Sequence, residues 1–335
     1  MKDVVRVLFD TRETNWKDNP YIDLLAQSVR PDIVIVGFTW RVLLTGKYDA
    51  FHVHWPEHLI TQPTFARRLV VRTLFFLALV RLRCKRVPVV RTMHNRNAHF
   101  QVERIDKALL QLFERLVTAR IWLSDREDED GVRGDGDVVI PHSDYAPWLE
   151  ALGTLEEAPL GINQILCFGV IRRYKRFDEV ANAAVNLGYP HLTIAGAPSE
   201  PDYAKELRSI AEAHPSRLSI ILKRLDSEEL VERIQSANLV VVPYADLYNS
   251  GVVLLALSLQ RPVALRESSA SRALAAEYGD YWIRRYEGEL TALSLDRLIA
   301  EPDDVQARAF SERRQWSFAA REHRAVYRRV TRRPH

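Results

Sequence analysis

Two cysteines, Cys84 and Cys167, stand in distant segments of the 335-residue chain, too few and too far apart for a disulfide framework. The chain has no G-x-x-x-x-G-K-[ST] run, which excludes a P-loop enzyme. Nor does G-x-G-x-x-G follow the first strand-like stretch, which argues against a dinucleotide oxidoreductase. Long apolar runs are missing too. LFFLALV (74–80) is seven residues long, flanked by arginines, and too short to span a bilayer. No signal peptide is visible, since Met1-Lys2-Asp3 leads straight into VVRVLF (4–9), and the expectation is a soluble cytoplasmic protein. A charge excess is also absent: 47 Lys and Arg against 44 Asp and Glu give +3, so bulk charge does not imply a nucleic-acid partner. Acid is missing locally instead. Leu59 to Val102 contains no Asp or Glu but nine Lys and Arg, and the tail from Arg321 onward carries six arginines.

At 47% hydrophobic and 27% charged, the composition is that of an ordinary globular protein, and the length favours two domains. Short apolar runs alternate with helical patterns along the whole chain. Strands are expected at 4–9, 32–38, 49–55, 86–94, 119–124 and 137–141, with helices at 21–29, 65–82 and 104–117. A connector at 147–161 separates this half from a second series. There, strands are expected at 165–169, 192–196, 217–222, 238–244 and 262–267, with helices at 200–213, 227–236 and 250–259. Asp226 or Ser227 is placed to cap the helix that follows it. The fold class is therefore α/β, with two doubly wound, Rossmann-like halves. The acidic stretch 124–136 lacks the side-chain spacing of a calcium loop and reads as a solvated excursion.

Two stretches of the second half suggest an anion site. In NQILCFGVIRRYKRFD (163–178), an apolar run meets Gly169 and then Arg172, Arg173, Lys175 and Arg176, placing cations at a strand's carboxyl end. In PYADLYNSGVVLLALSLQRPVAL (243–265), Tyr244 ends a strand and Asn249-Ser250-Gly251 stands just before an apolar helix. Asn249 or Ser250 would cap that helix, and Gly251 would let a ligand approach its free amides. Two cations and two amides, at about 1–3 kcal/mol each, suffice for a nucleotide diphosphate. Arg173 and Arg176 are expected to face water.

The first half presents histidines at strand ends: His52, His54 and His58 around Trp55 and Glu57, His94 and His99 around Asn95, and His142 beside Asp144. His52 and His54 share a face of an extended segment, but zinc would need further ligands in fixed geometry, so no metal is expected. Acid–base chemistry fits better, with Glu57 or His94 as the group that takes a proton. The basic, apolar segment 65–86 could rest on an anionic membrane surface through Arg68, Arg72 and Arg81.

These motifs together resemble glycosyltransferases of the GT-B fold, nearest those related to glycosyltransferase family 4, over most of the chain. A narrower resemblance is to bacterial exopolysaccharide enzymes described as GDP-mannose:glycolipid beta-mannosyltransferases. It rests on Asn19-Pro20-Tyr21, His54-Trp55-Pro56-Glu57, Thr92-Met93-His94-Asn95 and Ser250-Gly251. The resemblance implies an acceptor domain at 1–158, a nucleotide-sugar domain at 159–305 facing it across a cleft, and a helical segment at 306–335 crossing back. It implies transfer of a sugar from a nucleotide diphosphate sugar, GDP-mannose in the narrower case, to a saccharide or lipid-linked saccharide. Arg172, Lys175, Tyr244, Asn249, Ser250 and Gly251 would hold the donor, and no cofactor or metal would be needed. Asn19, Tyr21, His54, Trp55, Asn95, His99, His142 and Asp144 would hold the acceptor. One departure bears on mechanism: many family 4 enzymes carry two glutamates around the donor helix, and Leu247 to Leu255 has neither. A nucleotide-sugar epimerase and an inactive binding subunit remain alternative readings of the same residues.

Overall fold

The computed structural model describes residues 4–12, 20–94, 103–124, 134–154, 164–188, 191–244, 247, 251–300 and 310–332. The chain divides into two compact units, Met1–Ser143 with Glu312–His335, and Asp144–Ser311. In the first unit the strands are β1 (Val5–Phe9), β2 (Ile33–Val36), β3 (Ala50–Val53), β4 (Val89–Met93), β5 (Val117–Trp122) and β6 (Val138–Val139). They form one parallel sheet in the order β2-β1-β3-β4-β5-β6. The helices are α1 (Pro20–Ser28), α2 (Trp40–Thr45), α3 (Pro56–Ile60), α4 (Phe65–Cys84) and α5 (Arg104–Glu114). The short α2 and α3 were not expected from the sequence pattern.

The second unit contains α6 (Ala146–Ala151), β7 (Gln164–Phe168), α7 (Phe177–Leu187), β8 (His191–Ala195), α8 (Pro201–Ala213), β9 (Leu218–Ile221), α9 (Ser227–Ser236) and β10 (Leu239–Val242). It continues with α10 (Gly251–Ser258), β11 (Val263–Arg266), α11 (Ser269–Tyr278), β12 (Ile283–Tyr286) and α12 (Ala292–Ile299). Its sheet is parallel throughout, in the order β12-β11-β10-β7-β8-β9. Each sheet thus reverses direction beside its first strand, at β1 and at β7, and such switch points are where open α/β sheets bind ligands. Local signals set the helix starts. Asp226 Oδ1 accepts the Glu229 amide at 2.8 Å to cap α9. Serine and threonine capping boxes open α11 and α12.

Strand alternation distributes the first unit's core. Leu8, Phe51, Val53 and Val89 face Phe75, Leu79 and Leu82 of α4 and Phe113 of α5. The alternate side chains Phe9, His52 and His54 point the other way, where Tyr21 of α1 packs beside His54. This second face is closed by the last helix, α13 (Trp316–Thr331). Its buried residues Trp316, Ala319, Ala320, His323, Val326, Tyr327 and Val330 follow one helical stripe. Tyr327 is wholly buried and its hydroxyl lies 2.7 Å from His52 Nδ1. Tyr327→Ala should therefore cost about 3–5 kcal/mol in denaturant unfolding. Tyr327→Phe, which leaves only the imidazole nitrogen unpaired, should cost about 1–3 kcal/mol. Equal losses from both variants would contradict this packing.

Candidate functional site

At the carboxyl end of β7 the chain turns sharply. Gly169 has φ +110°, and a Cβ placed there would lie 3.0 Å from Lys175 Nζ and 3.7 Å from Val252 Cγ2. Only a glycine admits that approach, so it joins the turn after β7 to the start of α10. Lys175 ends a 3-10 turn, Arg173–Lys175, and its stem is buried. Its ammonium sits 5.5 Å from the Tyr244 ring and 5.9 Å from the Phe177 ring. Burial first, then the neighbouring Arg172 guanidinium, lowers its pKa to about 8. Arg172 is partly buried, and its Nε donates to Ser199 Oγ at 3.1 Å.

The other two arginines of the cluster have different tasks. Arg173 is exposed and pairs with Glu206 at 2.7 Å. Arg176 pairs with Glu179 at 2.7 Å and Glu289 at 3.3 Å, and so is bound to carboxylates rather than only to water. Glu179 also receives Arg266, at 2.7 Å. Lys175 is the cation of this cluster that packs beside Tyr244, and Arg172 is the charge next to it. A Cβ on Gly251 would meet Tyr145 Oη at 2.8 Å, so this position too needs glycine. Asn249 and Ser250 lie outside the described residues.

In the first unit, four of the eight expected acceptor residues, Tyr21, His54, Trp55 and His142, come together near the carboxyl ends of β1, β3 and β4. Tyr21 is the hub: its ring centroid lies 6.1 Å from His54, 5.4 Å from His94, 4.6 Å from His142 and 5.6 Å from Trp316. Trp55 stacks on His94 at 4.3 Å, and His54 Nδ1 meets His94 Nε2 at 2.9 Å. Glu57 sits in the first turn of α3, nearly buried. Asp144 belongs to the second unit, where Oδ1 accepts the Ala146 amide at 3.0 Å. Asn19, Asn95 and His99 lie outside the described residues. Among the described residues no group of three or more His, Cys, Asp or Glu is arranged to hold a metal ion.

One residue of this site went unread in the sequence. Asp10 directly follows β1, and its Oδ2 accepts the amides of His54 and Trp55, both at 2.9 Å. Desolvation, and to a smaller extent the charge of Glu57, raises its pKa to about 6. The only signal in the sequence is an aspartate closing an apolar strand, VVRVLFD, which equally begins any polar loop.

Burial sets the charge of the histidines. It holds His52, His54 and His94 well below the ordinary 6.5, and His142 and His323 at about 4. The unfolded chain takes protons near pH 6.5, and the folded chain resists them. Each depressed histidine therefore contributes stability that is present above pH 6.5 and lost as pH falls toward its folded value, roughly 3 kcal/mol for a shift to about 4 as at His142 and His323. Asp10 acts in the opposite sense between pH 3.8 and about 6, since its protonated form is the one the fold favours. Five histidines outweigh one aspartate. The melting temperature should fall between pH 7.5 and pH 5 in calorimetry, and a flat profile would contradict the neutral buried cluster.

No family profile matches the chain. It is 33% identical over 312 residues to a GDP-mannose:glycolipid 4-beta-D-mannosyltransferase of Xanthomonas campestris pv. campestris, a match covering 90% of this chain and 84% of that protein. Among solved structures it is similar to AviGT4, a glycosyltransferase involved in avilamycin A biosynthesis, with a TM-score of 0.59, 16% identity and 98% of each chain covered. HepE of Anabaena in complex with UDP-glucose matches with a TM-score of 0.56 at 14% identity, over 97% of this chain and 98% of that one. Those two likenesses carry the fold, and the sequence match carries the family. The chain belongs to the GT-B-fold glycosyltransferases related to glycosyltransferase family 4, hexosyltransferases that use a nucleotide diphosphate sugar.

Proposed function

We propose that the enzyme transfers mannose from GDP-mannose to a hydroxyl of a lipid-linked saccharide in polysaccharide or glycolipid synthesis. The 33% identity to the Xanthomonas mannosyltransferases over 90% of the chain carries this reading. Lys175 and Arg172 hold the diphosphate, with Tyr244, Asn249, Ser250 and Gly251 beside it. As the sugar departs, negative charge grows on the diphosphate, and these cations stabilise it. Tyr21, His54, Trp55 and His142 hold the acceptor, together with Asn19, Asn95, His99 and Asp144. Glu57 and His94 belong to the acid–base apparatus around the attacking hydroxyl. Diphosphates of the D-manno series are α-linked, so a β product means inversion. Inversion agrees with the lack of glutamates at Leu247 to Leu255.

The lipid-linked acceptor is favoured by α4. Phe65, Leu69, Val70, Phe76, Leu77 and Val80 lie along one side of this helix, each between 44% and 72% exposed. Arg67, Arg83, Lys85 and Arg86 are exposed with them, and no acidic residue occurs from Leu59 to Val102. An apolar strip edged by cations matches the boundary of an anionic bilayer. No helix among the described residues is long and apolar enough to cross a membrane. The three arginines expected to make this contact are each paired within the unit. Arg68 and Arg72 pair with Glu103, Arg72 also with Asp106 at 2.6 Å, and Arg81 donates to the Gly46 carbonyl at 2.7 Å and to the Tyr48 hydroxyl. Arg68 and Arg72 project toward α5, and Arg81 reaches the segment that follows α2.

Two measurements test these assignments. Lys175→Ala and Arg172→Ala should each weaken GDP-mannose binding about tenfold to a hundredfold in calorimetry. Wild-type affinity should also decline above pH 8, where Lys175 must regain a proton to bind; binding unchanged by either variant would contradict the site. Flotation on phosphatidylglycerol liposomes should weaken about fivefold per charge removed from Arg67, Arg83, Lys85 and Arg86, at about 1 kcal/mol each. Binding that ignores salt and these substitutions would exclude the membrane face.

A further inference from the structure

The Asp10 carboxylate is 7% exposed at the switch point of the first sheet, and its two oxygens differ. Oδ2 accepts the amides of His54 and Trp55, whereas Oδ1 is buried without a hydrogen-bond partner among the described residues. A buried acceptor left open normally costs about 1–3 kcal/mol, so such a group points to a ligand. His54, whose amide binds Asp10, carries a second open atom: Nδ1 is engaged by His94, and Nε2 is buried with no partner among the described residues. With the bridging proton on His94, the neutral His54 ring holds its own proton on Nε2. In that tautomer the two adjoining residues, linked through the His54 amide, offer one open acceptor and one open donor, the pair of groups that a hydroxyl needs.

Resting on the reading of this chain as an inverting glycosyltransferase, we propose that Asp10 Oδ1 is the base that takes the proton of the acceptor hydroxyl. As that oxygen bonds to the anomeric carbon, its proton passes to Asp10. The bond from the anomeric carbon to the diphosphate oxygen breaks, its electron pair leaving with the nucleoside diphosphate. Asp10 returns the proton to solvent once the product departs. His94 is less suited, because its Nε2 is tied to His54 and Trp55 covers its face. Glu57 then serves Asp10, its negative charge raising the proton affinity of the neighbouring carboxylate.

The test is Asp10→Asn in the full-length enzyme, since asparagine keeps a carbonyl oxygen for the two amides and lacks only the base. GDP release is followed with GDP-mannose and a panel of octyl glycosides, alongside donor affinity and thermal unfolding at pH 7.5. Turnover should fall about 100- to 10,000-fold, donor affinity should stay within twofold, and the melting temperature should hold or rise because a buried anion is gone. Formate should partly restore turnover to Asp10→Ala. An Asp10→Asn enzyme within threefold of wild type overturns the proposal. So does a loss of turnover that tracks a lowered melting temperature and that formate does not restore, for then Asp10 only fastens the turn. Wild-type enzyme that transfers from no sugar nucleotide overturns the functional reading itself, which the wild-type control detects separately.

Discussion

A single carboxylate oxygen holds the functional edge of the first unit together. By accepting the amides of His54 and Trp55, Asp10 fixes the path of the chain where β3 gives way to α3. That fixes Trp55 on the His94 ring and His54 against His94. Tyr21 and α13 then close over the histidines from the other side. The arrangement places an acid with raised proton affinity among imidazoles held neutral, the pairing of opposed shifts that acid–base sites require. It also explains why a terminal helix belongs to the first unit: without Tyr327, His52 would lose its Nδ1 partner.

In the second unit the corresponding feature is a buried cation at a strand's carboxyl end. Lys175 is buried over two aromatic rings, and burial together with the charge of Arg172 lowers its pKa to about 8. Arg173, Arg176 and Arg266 are neutralised by Glu206, Glu179 and Glu289, so they do not compete for a ligand. Two glycines, Gly169 and Gly251, clear the space in which the turn after β7 and the start of α10 meet their neighbours.

Much of the architecture was legible because buried parallel strands are short apolar runs, as in QILCF and LVVV. The stretch from 268 to 301 was not read, although it supplies α11, β12 and α12. Its strand reads IRRY, and the arginines mask the pattern: Arg284 is buried, its guanidinium bonded to the Leu298 and Ile299 carbonyls at the end of α12. Glu206, the partner of Arg173, lies 33 residues away and Glu289, one of the two partners of Arg176, lies 113 away, beyond any local pattern. The basic residues of α4 looked equivalent in sequence, and only the helix's orientation separates those bound to carboxylates from those exposed with the apolar strip. Asp10 was hidden for the opposite reason, since nothing distinguishes a functional aspartate after a strand from an ordinary loop residue.

The central claim is a sugar transfer in which a base on the first unit activates the acceptor and the anomeric carbon inverts. The anomeric configuration of the product formed from GDP-mannose, read by NMR of the isolated glycoside, tests it most directly. A β-mannoside is the predicted result; an α-mannoside, the retained configuration, would contradict the claim.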